Sequence, residues 1–136
     1  MSASDWGEIL ASPDSLGRYY GDSVPAAGDC RLFYVHVDER GESVTVGFQT
    51  EVMPAYPADA WLGVEYNTLE FFLFFPGVEE FSVDGWGSVE AARFEVGVRP
   101  GGVVSVALGS EGAGIRFRAG SVALRKARVY LAAGGA

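Results

Sequence analysis

Residues 69–75, LEFFLFF, constrain this chain more than any other stretch. Side chains of a strand alternate between its two faces, and here both faces are apolar except at Glu70. Such a strand needs cover on both sides, so it belongs inside a sheet and not at its edge. The period of two recurs around it. Leu32, Tyr34 and His36 alternate with Phe33, Val35 and Val37, and Gly41 lies in the turn at 39–43. Val44, Val46, Phe48, Thr50 and Val52 then face one way, which reads as a hairpin. Residues 54–59 hold two prolines, Pro54 and Pro57, and form a loop.

Beyond the central strand the alternation continues. Gly77 ends that strand, residues 80–83 form a short one, and 84–88 turn. Phe94, Val96 and Val98 share a face, as do Val104, Val106 and Leu108, with Pro100, Gly101 and Gly102 turning between them. A turn at 109–114 leads to two further strands, marked by Ile115 and Phe117 and then by Val122, Leu124, Val129 and Leu131. About eight short strands with glycine-rich turns predict a mostly β fold: an antiparallel, meander-rich sheet forming a sandwich or a curved half-barrel.

Helical periodicity is confined to a short N-terminal helical segment, residues 1–22. Ser4 is placed to cap a helix with Trp6, Ile9 and Leu10 on one side, and Asp5 and Glu8 sit in its first turn, where the helix dipole favours them. A further turn starts at Ser12 or Asp14 and presents Leu16, Tyr19 and Tyr20; Gly21 stops it and Pro25 prevents its continuation. This segment is expected to plug an open end or cover one face of a β body at 29–132, the whole of 1–136 forming one domain.

The chain has 136 residues, 49% apolar and 21% charged, the composition of an ordinary core-former. Its longest uncharged run, residues 100–110, is well short of the ~18–20 apolar residues that cross a bilayer. Residues 1–10 carry two acids and no base, unlike a secretory signal, and the single cysteine, Cys30, permits no internal disulfide. The expected location is cytoplasmic, with no membrane contact. Eighteen acids face five arginines up to Glu111, while Arg116, Arg118, Arg125, Lys126 and Arg128 follow with no acid among them. A net charge of -8 argues against nucleic acid as a partner, because that affinity rests on cations displacing phosphate counterions. It favours a basic protein partner. The basic stretch alternates with apolar residues and fits a half-solvated strand.

No catalytic or metal-binding motif emerges, and neither an enzymatic reaction nor a cofactor is expected. His36 and Asp38 share a strand face, yet a zinc site needs further ligands and a triad needs a nucleophile. Cys30 reads as a structural thiol. Residues 109–114, GSEGAG, lack the lysine and the following helix of a phosphate loop. Glu79 and Glu80, with Asp84 nearby, are neighbours that point to opposite faces and read as solvated. Tyr56, Trp61, Tyr66 and Trp86 lie in or beside long connections, where aromatic residues serve either to seal the sheet end or to anchor a partner.

In order, Asp5, Trp6 and Ile9, then Leu16, Tyr19, Tyr20, Gly21 and Pro25, a hairpin, Pro57 and Trp61, and Asn67 and Leu69 opening an aromatic strand make up a pattern of hydrophobic landmarks. Over most of its length the chain resembles the immunity protein 50 family of bacterial polymorphic toxin systems. The resemblance implies a mostly β protein that protects its own cell by binding a cognate toxin domain, often a nuclease, and it carries over no catalytic residues. A basic nuclease cleft would meet an acidic, aromatic-bearing surface, for which the candidates are Tyr56, Asp59, Trp61, Glu65, Glu79, Glu80, Asp84 and Trp86. Alternative readings are a small-molecule-binding sandwich or barrel, and a homodimeric interaction module.

Overall fold

The computed structural model describes Gly7, Ile9, Leu10 and residues 15–84, 93–98, 102–110 and 113–132. Among these, eight strands follow a short helix, α1 (Gly17–Tyr20): β1 (Cys30–Asp38), β2 (Ser43–Thr50), β3 (Thr68–Phe75), β4 (Glu79–Asp84), β5 (Arg93–Val98), β6 (Val104–Ser110), β7 (Ala113–Ala119) and β8 (Ala123–Tyr130). They form two four-stranded sheets, ordered β1-β2-β3-β8 and β4-β7-β6-β5, with every pairing antiparallel. The mostly β expectation holds, as two sheets and not a closed barrel. Two three-strand meanders are present, but strand order departs from a simple meander: β8 returns beside β3, and β4 pairs with β7.

The two sheets are halves of one bent ribbon. β3 pairs with β8 from Thr68 and Tyr130 to Phe74 and Ala123, and β4 pairs with β7 from Glu79 and Arg118 to Asp84 and Gly114. Between them the Gly120 N–H donates to the Pro76 carbonyl at 2.9 Å, which carries the pairing around the corner. Register shifts flank the bend on both sides, and strands that change sheet commonly do so through such irregularities. Gly77 takes φ +65° here, and a Cβ on it would lie 3.4 Å from the Gly120 backbone, so the corner needs glycine.

Bending brings the inner faces together around a single core. Val44, Val46 and Phe48 of β2 and Leu69, Phe71, Leu73 and Phe75 of β3 are at most 1% exposed. They cluster with Val96, Val106, Leu108, Ile115 and Phe117 of the other sheet. Phe75 meets Phe117 edge-on across the sheets at a centroid distance of 5.3 Å, and Phe48 stacks on Phe71 at 5.3 Å within one. Each fully buried large apolar side chain contributes about 1.5–3 kcal/mol.

Helical backbone at Gly7, Ile9 and Leu10 agrees with the expected first helix, whose Ser4, Asp5, Trp6 and Glu8 lie outside the described residues. The second turn is present as α1; its Gly21 cap has φ 63° and donates its N–H to the Gly17 carbonyl. Leu16 rather than a polar side chain precedes α1, and the proposed starts Ser12 and Asp14 lie outside the described residues. Leu10, Leu16 and Tyr20 are buried in the core. The Tyr20 hydroxyl donates to the Val52 carbonyl at 2.6 Å, just past β2, which places the segment at the end of the sheet where β2 leaves.

The alternation expected in β1 needs correction. A bulge between Leu32 and Tyr34 puts Leu32 on the inner face with Val35 and Val37, opposite Phe48, Val46 and Val44. Tyr34 and His36 point outward, and the extra residue Phe33 packs edge-on against the outward Phe72 at 5.7 Å. Strict period two cannot register an inserted residue, because each bulge moves the following side chains to the other face. β3 is central, as expected, but its outer face is only partly closed: Phe72 and Phe74 remain half-buried.

Gly47 lies between these outward rings. A Cβ there would stand 2.8 Å from the Phe72 ring and 3.0 Å from the Tyr34 Cβ. Gly47→Ala is therefore expected to cost about 1–3 kcal/mol through overpacking, read as a lower urea midpoint with an unchanged m-value. Gly63→Ala, with open space around it although φ is +80°, serves as the comparison for backbone strain alone.

Candidate functional site

The connection between β2 and β3, residues 51–67, is short of regular structure and yet well held. Asp59–Trp61 forms a 3-10 turn, closed by bonds from the Trp61 N–H to the Ala58 carbonyl (2.9 Å) and from the Leu62 N–H to the Asp59 carbonyl (3.2 Å). Trp61 is only 9% exposed and packs on Tyr19 at 4.6 Å, so its ring joins the core at this end of the sheet. The Tyr56 N–H donates to the Tyr19 carbonyl at 2.8 Å, which ties the loop to α1. At its far end Asn67 grips the end of β8 and the chain just beyond it: its N–H donates to the Tyr130 carbonyl (3.1 Å), and its Oδ1 accepts the Ala132 N–H (2.8 Å).

On this frame the loop exposes both large apolar side chains and acids. Tyr56 is 64% exposed and Leu62 62%, with Val64 and Met53 also open to solvent. Glu51, Asp59 and Glu65 are exposed among them. Of the residues expected from sequence to meet a partner, Tyr56, Asp59, Trp61 and Glu65 lie on this loop, and the exposed Met53, Leu62 and Val64, not expected, share it. An aliphatic residue in an irregular stretch carries no period to say whether it faces in or out, so only the fold around Trp61 reveals them.

Glu79, Glu80 and Asp84 are not brought into that loop by the chain path. They lie on β4, an exposed edge strand of the other sheet, and β3, about 26 Å long at eight residues, runs between the loop and Glu79. Glu80 adopts φ 55° and its carboxylate meets Arg118 at 2.6 Å, with both side chains largely solvated; exposed pairs of this kind contribute little. Trp86 lies outside the described residues.

The remaining candidates take structural roles. Asp38 accepts the Gly41 N–H at 3.0 Å and so shapes the hairpin turn, while His36 stacks beside Tyr34 at 6.4 Å. No group of three or more potential metal ligands occurs among the described residues, and none of their helices is long and apolar enough to cross a membrane. Glu70, the one charge in the central strand, is 5% exposed and accepts a bond from the Arg128 guanidinium at 2.6 Å. Beside it Gln49 donates to the Tyr130 hydroxyl at 3.0 Å, and burial together with the Glu70 carboxylate pushes that phenol's pKa up.

Cys30 is a buried thiol. Burial pushes its pKa from the ordinary 9.0 up to about 12, opposed in part by the Thr50 hydroxyl and assisted by the Asp29 charge. An unfolded chain thus loses the thiol proton near pH 9 while the native one keeps it. This contribution to stability is complete below pH 9 and disappears as pH rises through about 12. Urea midpoints are expected to hold up to about pH 8 and fall above 9, at up to about 1.4 kcal/mol per pH unit; Cys30→Ala should flatten the first part of that decline. Buried Tyr20, also raised, steepens it above 10.

The family model described as Immunity protein 50 matches residues 13–130, a span that runs from before α1 to the last residue of β8. Neither the curated proteins nor the solved structures yield a match.

Proposed function

We propose that this chain, which belongs to the immunity protein 50 family, neutralises its cognate bacterial toxin domain by binding it in the cytoplasm of the cell that makes both, without catalysis. The observation that supports this reading is the exposed, hydrogen-bonded loop: Tyr56 and Leu62 stand open to solvent on a loop that buried Trp61 and the Tyr56–Tyr19 backbone bond tie to the core. A loop held by its own hydrogen bonds has less conformational freedom to lose on docking, and aromatic anchors ringed by polar groups are the usual centres of binding energy.

Charge extends the proposal to the partner. The chain carries -8, and Glu51, Asp59 and Glu65 are exposed on the same loop as Tyr56 and Leu62, so a basic toxin surface fits it. A nuclease suits that description, since its cleft must hold phosphates and a carboxylate rim competes for the same groups. Opposite charge also steers encounter, raising the association rate at low salt. Glu79, Glu80 and Asp84 extend the acidic field from β4.

The test is a rescue assay with the C-terminal domain encoded immediately upstream, expressed in a heterologous host with and without this protein. Survival only in its presence is expected, and equal killing in both strains refutes the pairing. Replacing Tyr56 by Ala together with Asp59→Lys and Glu65→Lys should weaken binding of the purified toxin domain by a factor of ten or more. Glu79→Lys with Asp84→Lys should act mainly on the association rate. Unchanged binding by the loop variant moves the contact surface elsewhere.

A further inference from the structure

The outward face of β1-β2-β3-β8 is built in a way that the core does not require. Two irregularities lie on either side of Phe72, one in each neighbouring part of the sheet. In β1 the bulge gives Phe33 and Tyr34 to the same face, where they meet the Phe72 ring edge-on at 5.7 and 5.5 Å. In β8 the shift opposite Phe72 and Leu73 leaves Arg125 unpaired in the ladder, and its guanidinium lies over the Phe74 ring at 3.9 Å, beside Lys126. Bulges re-aim side chains, and here each adds one to the outer surface. Gly47 supplies the space between Tyr34 and Phe72. Phe33 and Tyr34 remain 39% and 42% exposed, so the aromatic group is open to solvent.

Its charge is opposite to that of the whole chain. Arg31, Arg125, Lys126 and Arg128 all lie on this face and are exposed; of the carboxylates there, Glu70 is buried against Arg128 and Asp38 sits at the hairpin end of β1, accepting the Gly41 N–H. We infer that this aromatic, cationic sheet face is a second contact surface for the toxin domain, one that takes an acidic segment bearing carboxylates. The inference rests on the toxin-binding reading and deepens it. Arg31 pairs with Gln49, two residues before Glu51, so the cationic face borders the acidic loop. Adjacent patches of opposite sign fix a partner's orientation and reject partners of uniform charge.

Charge also decides among the occupants. A second copy docked face to face by a two-fold axis would bring these four cations to both sides of one seam and double its positive charge. A single-stranded nucleic acid would find rings to stack on, but it would bring a polyanion to a chain of net charge -8. A compact protein partner with a local acidic segment meets neither obstacle.

The experiment uses the full chain and the same upstream-encoded toxin domain, with affinity measured by calorimetry or interferometry at two salt concentrations. Arg31→Glu combined with Lys126→Glu changes exposed side chains only; a matched thermal midpoint confirms the fold, and Tyr34→Ala tests the aromatic part independently. The expected result is at least a tenfold loss of affinity for the double variant, with a smaller salt dependence, and a comparable loss for Tyr34→Ala. If the wild-type protein binds and both variants bind equally well, this surface is refuted while toxin binding stands. If the wild type does not bind at all, both fall. Binding of a fluorescent oligothymidine that the double variant loses, or a dimer in light scattering that it abolishes, assigns the face to another occupant and overturns the inference.

Discussion

Everything in this molecule depends on the turn of one ribbon through the corner at Pro76, Gly77 and Gly120. A straight continuation of β3 into β4 would leave Leu69, Phe71, Leu73 and Phe75 facing water in an open sheet. The bend, held by the Gly120 N–H on the Pro76 carbonyl, places Ile115 and Phe117 over them instead. Both meanders then attach to an existing frame: β1 and β2 extend from β3, and β5 and β6 extend from β7. The main structural demand is local and small, a glycine with positive φ beside another glycine's backbone. Its consequence is the whole core.

The alternation of apolar residues was enough to read a mostly β chain, the central place of β3, and the glycine stop after α1. Topology was not legible. Nothing in a period of two says that β8 lies beside β3 or that β4 pairs with β7, because those choices depend on contacts between residues far apart in sequence. The same distance hid the partner of Glu70, which lies 58 residues away at Arg128. Phe33 was misassigned for a different reason: a bulge looks like ordinary alternation until the opposing strand is known. In the site, acids could be named from sequence, but their grouping could not. Along the chain the loop precedes β3 and the β4 set follows it.

Topology also explains how an acidic chain acquires a basic face. The five bases after Glu111 divide between β7 and β8, and thus between the two sheets. Arg116 and Arg118 stay with β4, where Glu80 pairs with Arg118, whereas Arg125, Lys126 and Arg128 are carried past the corner to lie beside β3. A segment that reads in sequence as one basic run becomes two surfaces of different character. In the second, the Arg125 guanidinium lies over an aromatic ring.

The aromatic residues of β3 therefore do two jobs according to parity. Phe71 and Phe75 are at most 1% exposed and hold the sheets together. Phe72 and Phe74 point away from that core and are covered by Phe33, Tyr34 and Arg125, side chains from edge strands of the same sheet. Cover of this kind is thin: each half-exposed ring leaves apolar area in contact with water that a second layer would have removed. A purely structural outer face would be served as well by threonine or glutamine, as at Thr45 and Gln49 on the neighbouring strand. Aromatics retained there, with one bulge adding Phe33 and the other adding Arg125 to the same face, match the needs of recognition more closely than those of folding.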